Sequence, residues 1–237
     1  MDRKQFLAVG AAAASGLLLA DTIAAAPAWA WPKGCIERLP KSSTKRIAWT
    51  LDDGSSKQSL RAYLNLLEDH ENLRMTMFVL PHSSAWKALA KPITALAETG
   101  RLQLANHTYS HIDLTRVSDA KIKRELVSTT HFIEDNFGVD PGTYYRPPYG
   151  YINAHVIKVA NDLGYTTPVL WLGSTGSDAR VAPSSVWKMC QKWMTDGRIV
   201  IDHANSMATP QNFDRIRTLL ATRHLKTVTL KDAFGHN

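Results

Sequence analysis

Seven short apolar or β-branched runs alternate with amphipathic stretches from residue 46 to the end of this 237-residue chain, and that alternation limits the fold most. The runs are Arg46–Leu51, Thr76–Leu80, Leu102–Ala105, Thr143–Tyr145, Thr167–Leu172, Ile199–Ile201 and Thr227–Leu230. Their length and composition mark strands. Between them, apolar residues recur at helical spacing: Leu60, Leu64, Leu67; Trp86, Leu89, Ile93, Leu96; Ile122, Leu126, Ile133, Phe137; Val156, Ala160, Leu163; Val186, Cys190, Trp193; and Phe213, Ile216, Leu220. Pro92 predicts a kink in the second of these. Ser118 and Asn153 are placed as N-caps, Gly138 and Gly164 as stops. Seven βα units in sequence predict a parallel sheet with outer helices. An open doubly wound sheet and a barrel both satisfy the pattern. No GxGxxG or GxxxxGK[ST] follows the first run, so the expectation is an irregular (β/α)7-type barrel in a single domain.

The first thirty residues stand apart. A charged start, Asp2-Arg3-Lys4, leads into an uncharged run from Phe6 to Ala20, and Ala28-Trp29-Ala30 fits a small-x-small cleavage site. This reads as a secretory signal, twin-arginine-like with Lys in the second arginine place. The reading divides the chain into a signal (1–30), an N-terminal segment (31–45) and a catalytic domain (46–237), secreted, periplasmic or in the cell envelope. No second apolar span follows, so no membrane span is expected after cleavage. The net charge of +7 is scattered along helices rather than blocked together, which excludes nucleic acid as an expected partner. Cys35 and Cys190 leave a disulfide and two separate thiols equally open. Oligomeric state is not legible.

The residues that follow the strands carry the chemistry. Asp52-Asp53-Gly54 ends the first strand, Asn106-His107-Thr108-Tyr109-Ser110-His111 the third, Arg146-Pro147-Pro148-Tyr149-Gly150 the fourth, and Asp202-His203 the sixth. In a parallel βα fold these ends emerge on one rim. His107 and His111, four apart, would share one face of a helical turn and could hold an ion. Two histidines and one aspartate make an open metal site. The second aspartate is then available as a base, His203 as an acid and Arg146 as a support for the base.

These same residues resemble four motifs of the polysaccharide deacetylases, the NodB-homology group also called carbohydrate esterase family 4, over residues 45–235: Thr50-Leu51-Asp52-Asp53-Gly54, His107-Thr108-Tyr109-Ser110-His111, Arg146-Pro147-Pro148-Tyr149 and Ile201-Asp202-His203. The resemblance implies that Asp53, His107 and His111 hold one divalent metal ion, zinc in most members. It implies Asp52 as catalytic base, Arg146 as its support and His203 as acid. Tyr149 would offer its backbone N–H to the oxyanion, and Pro148, Ile201 and Trp171 would line the substrate pocket. The implied substrate is an acetylated glycan, chitin-like or peptidoglycan.

The resemblance fails at one place. A fourth motif, with an Asp that tunes the acid histidine, has no counterpart in Trp171-Leu172-Gly173-Ser174-Thr175-Gly176-Ser177-Asp178; Asp178 fits only with a shift. Asp202 is a poor substitute, because adjacent side chains on a strand point to opposite faces. The expected consequence is a slower or acid-shifted enzyme. Two alternatives stay open: a degenerate, non-catalytic glycan-binding protein, and an esterase or other amide hydrolase on the same scaffold.

Overall fold

The computed structural model describes residues 31–177 and 181–235. The proposed signal segment and Asp178 lie outside them. Eight strands form one sheet: β1 (Arg46–Asp53), β2 (Met75–Val79), β3 (Leu102–Asn106), β4 (Tyr144–Tyr145), β5 (Thr167–Pro168), β6 (Gly173–Ser174), β7 (Arg198–His203) and β8 (Lys226–Thr227). Their order is β5-β4-β3-β2-β1-β7-β6, with β8 against the start of β1, and every pairing is parallel. Helices α1 (Lys57–Asp69), α2 (Ala85–Ala88), α3 (Ala90–Glu98), α4 (Asp119–Phe137), α5 (Ala154–Asn161), α6 (Pro183–Trp193), α7 (Phe213–Thr222) and α8 (Leu230–Phe234) occupy the connections. No helix among the described residues is long and apolar enough to cross a membrane.

Strand alternation separates two cores. Ile47, Trp49 and Leu51 point outward and pack with Leu60, Leu64, Leu67 and Trp86 from the helices. Ala48 points the other way and meets Phe78, Ala105, Tyr144, Val169 and Ile199, gathered from β2, β3, β4, the segment after β5, and β7. Side chains from six places along one sheet converge on a single inner cluster because the sheet curls around it, as the barrel expectation requires.

The helix expected to stop at Gly164 ends earlier, at Asn161, and three larger departures from the sequence expectation follow. The run Thr167–Leu172 is not one strand: β5 pairs with β4, the chain then crosses, and β6 pairs with β7. The edge strands are therefore successive in sequence but unpaired, and the N-terminal segment lies beside the crossing. Ile36 donates its N–H to Pro168 and accepts from Leu170, while Leu39 donates to Gly197. The kink expected at Pro92 is a full break. Its ring excludes a helical carbonyl four residues back, at Ala88, and α2 ends there. The last run ends as a strand at Thr227, since Thr229 and Asp232 form a capping box that starts α8. Cys35 and Cys190 are both free thiols, and Cys190 is buried in α6.

Candidate metal and catalytic site

The four loaded strand ends meet at one mouth of the barrel. Plain alternation would send Asp53 outward beside Leu51, away from Asp52. Instead Asp53 takes φ 68°, a left-handed conformation that Asp tolerates better than most residues. The Gly54 N–H closes the turn on the Asp52 carbonyl at 2.9 Å. Gly54 is required here: its own φ is 70°, and a Cβ would stand 2.8 Å from the Trp86 ring. The Trp86 indole N–H in turn donates to the Asp53 carbonyl at 2.8 Å. Both carboxylates of the pair therefore face the mouth.

His107 and His111 also meet, with ring centroids 5.0 Å apart. They do so without the helical turn expected from their spacing. Thr108 (φ 62°) and His111 (φ 55°) are both left-handed, and the segment is a loop. Glu125, buried on α4, holds that loop by accepting from the backbone N–H groups of Tyr109 and Ser110 and from the Ser110 hydroxyl. Lys121 pairs with the same carboxylate at 2.6 Å. Four of the five non-glycine residues with positive φ among those described, Asp53, Thr108, His111 and Tyr149, belong to this rim. Such concentrated backbone strain is typical of sites where geometry is imposed on the chain.

The Nδ1 of His107 lies 2.8 Å from the Arg146 carbonyl, which only accepts, so Nδ1 carries the proton and Nε2 faces the carboxylates. Nε2 is 3.3 Å from Asp53 Oδ1 and 3.5 Å from Asp52 Oδ2; His111 Nε2 is 3.5 Å from the same Asp53 oxygen. Asp53 Oδ1 is buried and has no hydrogen-bond donor. Its other oxygen accepts from the Asn205 amide at 2.6 Å, and Asn205 Oδ1 accepts from the Ser55 N–H at 3.1 Å. One ligand atom each from Asp53, His107 and His111 lie within 4.8 Å of one another. An orphaned carboxylate oxygen beside two imidazole nitrogens fits a divalent cation, and the mixed N/O donor set suits zinc or a similar ion.

The electrostatics agree with a shared cation site. Burial alone would raise the Asp53 carboxyl, but the neighbouring His107, with His203 and His111, holds it well below the ordinary range. Burial and the neighbouring His107 push His111 down to about 4, so its lone pair is available at neutral pH. Burial disfavours a charged His107, yet Asp52 and Asp53 outweigh it and raise its pKa.

Asp52 is held on its other side. Arg146, fully buried, donates from Nη1 to Asp52 Oδ1 at 2.6 Å and from Nε to the Val169 carbonyl at 3.2 Å. Its guanidinium stacks 4.0 Å from the Phe78 ring centroid and 5.7 Å from that of Trp171. Trp171 thus sits against Arg146 at the inner edge of the site. Ile201 and Pro148 are buried, whereas Tyr149 is 47% exposed on the rim, its ring 4.7 Å from that of His111. Tyr109 is the other strongly exposed aromatic residue among those described.

His203 completes the mouth at the end of β7, and its Nδ1 is buried without a hydrogen-bond partner among the described residues. Asp202 points to the outer face, as strand alternation requires, and bonds Trp49 and Tyr63 rather than the His203 ring. Glu125, Asn205 and Trp86 were not singled out by sequence. Asn205 stands two residues after His203, in a strand end already marked as functional, and that position was the available signal. Nothing local marks Glu125 or Trp86, which reach the site from separate helices.

The sequence model of the polysaccharide deacetylase family matches residues 40–168. The chain belongs to that family. It is 30% identical over 204 residues to the peptidoglycan-N-acetylglucosamine deacetylase PgdA of Listeria monocytogenes, covering 84% of this chain and 41% of that protein. The chain therefore spans about two fifths of the length of this curated relative. Among solved structures, Bacillus subtilis PdaA, a family 4 carbohydrate esterase, superposes with a TM-score of 0.75 at 24% identity, covering 85% of each chain. A family 4 pseudoenzyme from Bacillus anthracis superposes with a TM-score of 0.73 at 21% identity, covering 84% of this chain and 68% of that one. At those identities the two structures support the fold alone.

Proposed function

We propose that this chain is an exported, metal-dependent hydrolase that removes acetyl groups from N-acetylated glycans of the peptidoglycan or chitin type. The observation that carries the reading is the orphaned Asp53 oxygen facing two imidazoles, with a second carboxylate, locked by a buried arginine, beside it. Asp53, His107 and His111 hold the ion, with zinc the favoured metal. When bound, a divalent ion lowers the pKa of its water from about 15.7 to about 7 and polarises the acetyl carbonyl.

The chain's own residues do the rest. Asp52 receives the proton of the attacking water, and Arg146 pairs with that carboxylate and keeps it aimed. The amide C–N bond breaks as His203 gives a proton to the departing amine, so acetate and a free amino sugar leave. The backbone N–H of Tyr149 donates to the oxyanion. Trp171, Ile201 and Pro148 exclude water around the acetyl group, and the rim tyrosines Tyr109 and Tyr149 offer faces for sugar rings. The name of PgdA supports a glycan amide as the bond cleaved.

Acetate release from chitin oligomers, peptidoglycan and acetylated xylan, with and without chelator, tests this reading. Chelator-sensitive release is expected. His107→Ala should lose bound metal, whereas Asp52→Asn should keep it and lose turnover by roughly 100-fold or more, the scale of a general base. Equal metal loss in both variants would mean that the two aspartates have been given the wrong roles.

A second reading rests on the buried Nδ1 of His203, which has no hydrogen-bond partner among the described residues. On that reading the chain binds glycan or metal without turnover. Metal-loaded, folded protein that binds these glycans and releases no acetate would favour it. Release that favours acetylated xylan would point instead to ester hydrolysis on the same site.

A further inference from the structure

Asp202 is fully buried, carries no ion pair among the described residues, and takes no part in the chemistry above. Six donors nevertheless converge on it. Oδ2 accepts from the Trp49 indole N–H at 2.9 Å and the Tyr63 hydroxyl at 2.6 Å. Oδ1 accepts from the hydroxyls of Thr175 (2.7 Å), Ser177 (2.6 Å) and Thr209 (2.9 Å), and from the His203 backbone N–H at 3.0 Å. The Ser177 hydroxyl is shared, since the His203 N–H reaches its oxygen at 2.9 Å.

These donors come from β1, α1, the segment after β6, the segment after β7, and β7 itself. A carboxylate is costly to bury, and a ring of donors is what offsets that cost where no cation is present. The ring also ties parts of the chain that no strand pairing joins. Beyond the single step from Gly173 to Ser174, the loop through residue 177 is held to β7 by Asp202, by the His203 N–H to the Ser177 hydroxyl, and by one backbone bond, Thr175 N–H to Ile201 at 3.0 Å.

We propose that Asp202 is the positioning residue for His203: it fixes the His203 backbone and the 174–177 loop from the outer face of the sheet, in place of an anion on the imidazole itself. The inference rests on the proposed role of His203 as acid. It differs from a general stabilising role in that four of the six donors, from Thr175, Ser177, His203 and Thr209, gather at the β7 end, while Trp49 and Tyr63 anchor the carboxylate from behind. The metal-holding residues come from β1 and the loop after β3, and Asn205, not Asp202, bonds Asp53. An amide cannot replace the carboxylate. Each carboxylate oxygen receives one N–H that cannot reverse, from Trp49 or His203, so the NH2 of an asparagine would face a donor in either orientation.

The test uses Asp202→Asn, His203→Ala and the double variant, each read by chelator competition for zinc, by amide hydrogen exchange, and by acetate release. Asp202→Asn should hold zinc within about 2-fold of the parent and lose exchange protection at residues 174–177 and 203–205, with protection elsewhere unchanged. It should lower kcat by roughly 10- to 100-fold with KM little changed, the cost of misplacing an otherwise intact acid. In the His203→Ala background it should cost almost nothing further. Losses that multiply in the double variant, or unchanged protection at both segments, would overturn the proposal. If Asp202→Asn does not fold, Ser177→Ala and Thr209→Val each remove one donor and should show the same local loss in weaker form; an effect spread over the whole chain would overturn it. Should the parent release no acetate at all, the hydrolase reading falls, while the zinc and exchange measurements still decide whether Asp202 holds this end of the site.

Discussion

At the residue scale, the site depends on pairs of atoms whose partners are already spoken for. Asp53 has one oxygen satisfied by Asn205 and one left facing the imidazoles. The Asn205 amide is itself oriented, because its oxygen accepts from the Ser55 N–H. Removing that hold frees the carboxylate to rotate, and the ligand oxygen is then present for only part of the time. Asn205→Ala should therefore weaken zinc binding by about 10- to 100-fold, the usual effect of losing a partner behind a metal ligand. Chelator competition measures this directly, and an affinity equal to the parent's would mean that the His107 and His111 contacts alone orient Asp53. His107 shows the same logic. The Arg146 carbonyl fixes its tautomer, and Arg146 also fixes Asp52, so one buried residue aligns the proposed metal ligand and the proposed base.

At the element scale, the histidine loop is held by a helix remote from it in sequence. Glu125 on α4 supplies both carboxylate oxygens to Tyr109 and Ser110. Burial raises its pKa, but Lys121 and the Ser110 contacts more than compensate, and the net shift is downward. A carboxyl with a depressed folded pKa contributes stability that is fully present above the unfolded value, about 4.3, and that is lost as pH falls through the folded value. Glu125→Gln should lower Tm at neutral pH by the equivalent of roughly 1–3 kcal/mol, the worth of hydrogen bonds to a charged group. The gap between parent and variant should close as pH drops below about 4. Thermal melts from pH 3 to 8 test this, and a gap that is constant across the range would show that the ionised form is not what holds the loop. The break between α2 and α3 belongs to this scale too. It lets α2 deliver Trp86 to Asp53 and Gly54 while α3 continues against the sheet.

At the scale of the whole molecule, the barrel is incomplete by its strands alone. β5 and β6 are its edges, and they do not pair with each other. Residues 36–39 bridge to β5, to the crossing and to the turn before β7 through several backbone bonds, and Leu39 is buried against the inner cluster. Removing Trp31–Leu39 should cost about 2–5 kcal/mol, from lost hydrogen bonds at roughly 1 kcal/mol each and one buried leucine. A drop in Tm of several degrees in a chain shortened to begin at Pro40, relative to one beginning at Trp31, checks the estimate. Equal Tm values would show that the crossing between β5 and β6 is sufficient by itself.

The alternation of strand and helix signals determined the parallel βα architecture, because each unit must bury one apolar face against its neighbours. The chemistry-bearing residues were legible as well, since a buried strand has no use for paired acids or histidines at its end. Tertiary structure decided how they meet. Spacing suggested a helical turn for His107 and His111, but left-handed backbone at Thr108 and His111 does the work, imposed by Glu125 from α4. Plain strand alternation would part Asp52 from Asp53, and a strained turn under Trp86 brought both to the mouth. Asn205 reaches Asp53, and Asp202 reaches Trp49, only when β7 is laid beside β1. A sequence records which groups a chain owns and the period at which they recur. Long-range contacts select their orientation, because the energy that holds a strained φ or buries a carboxylate comes from residues far away along the chain.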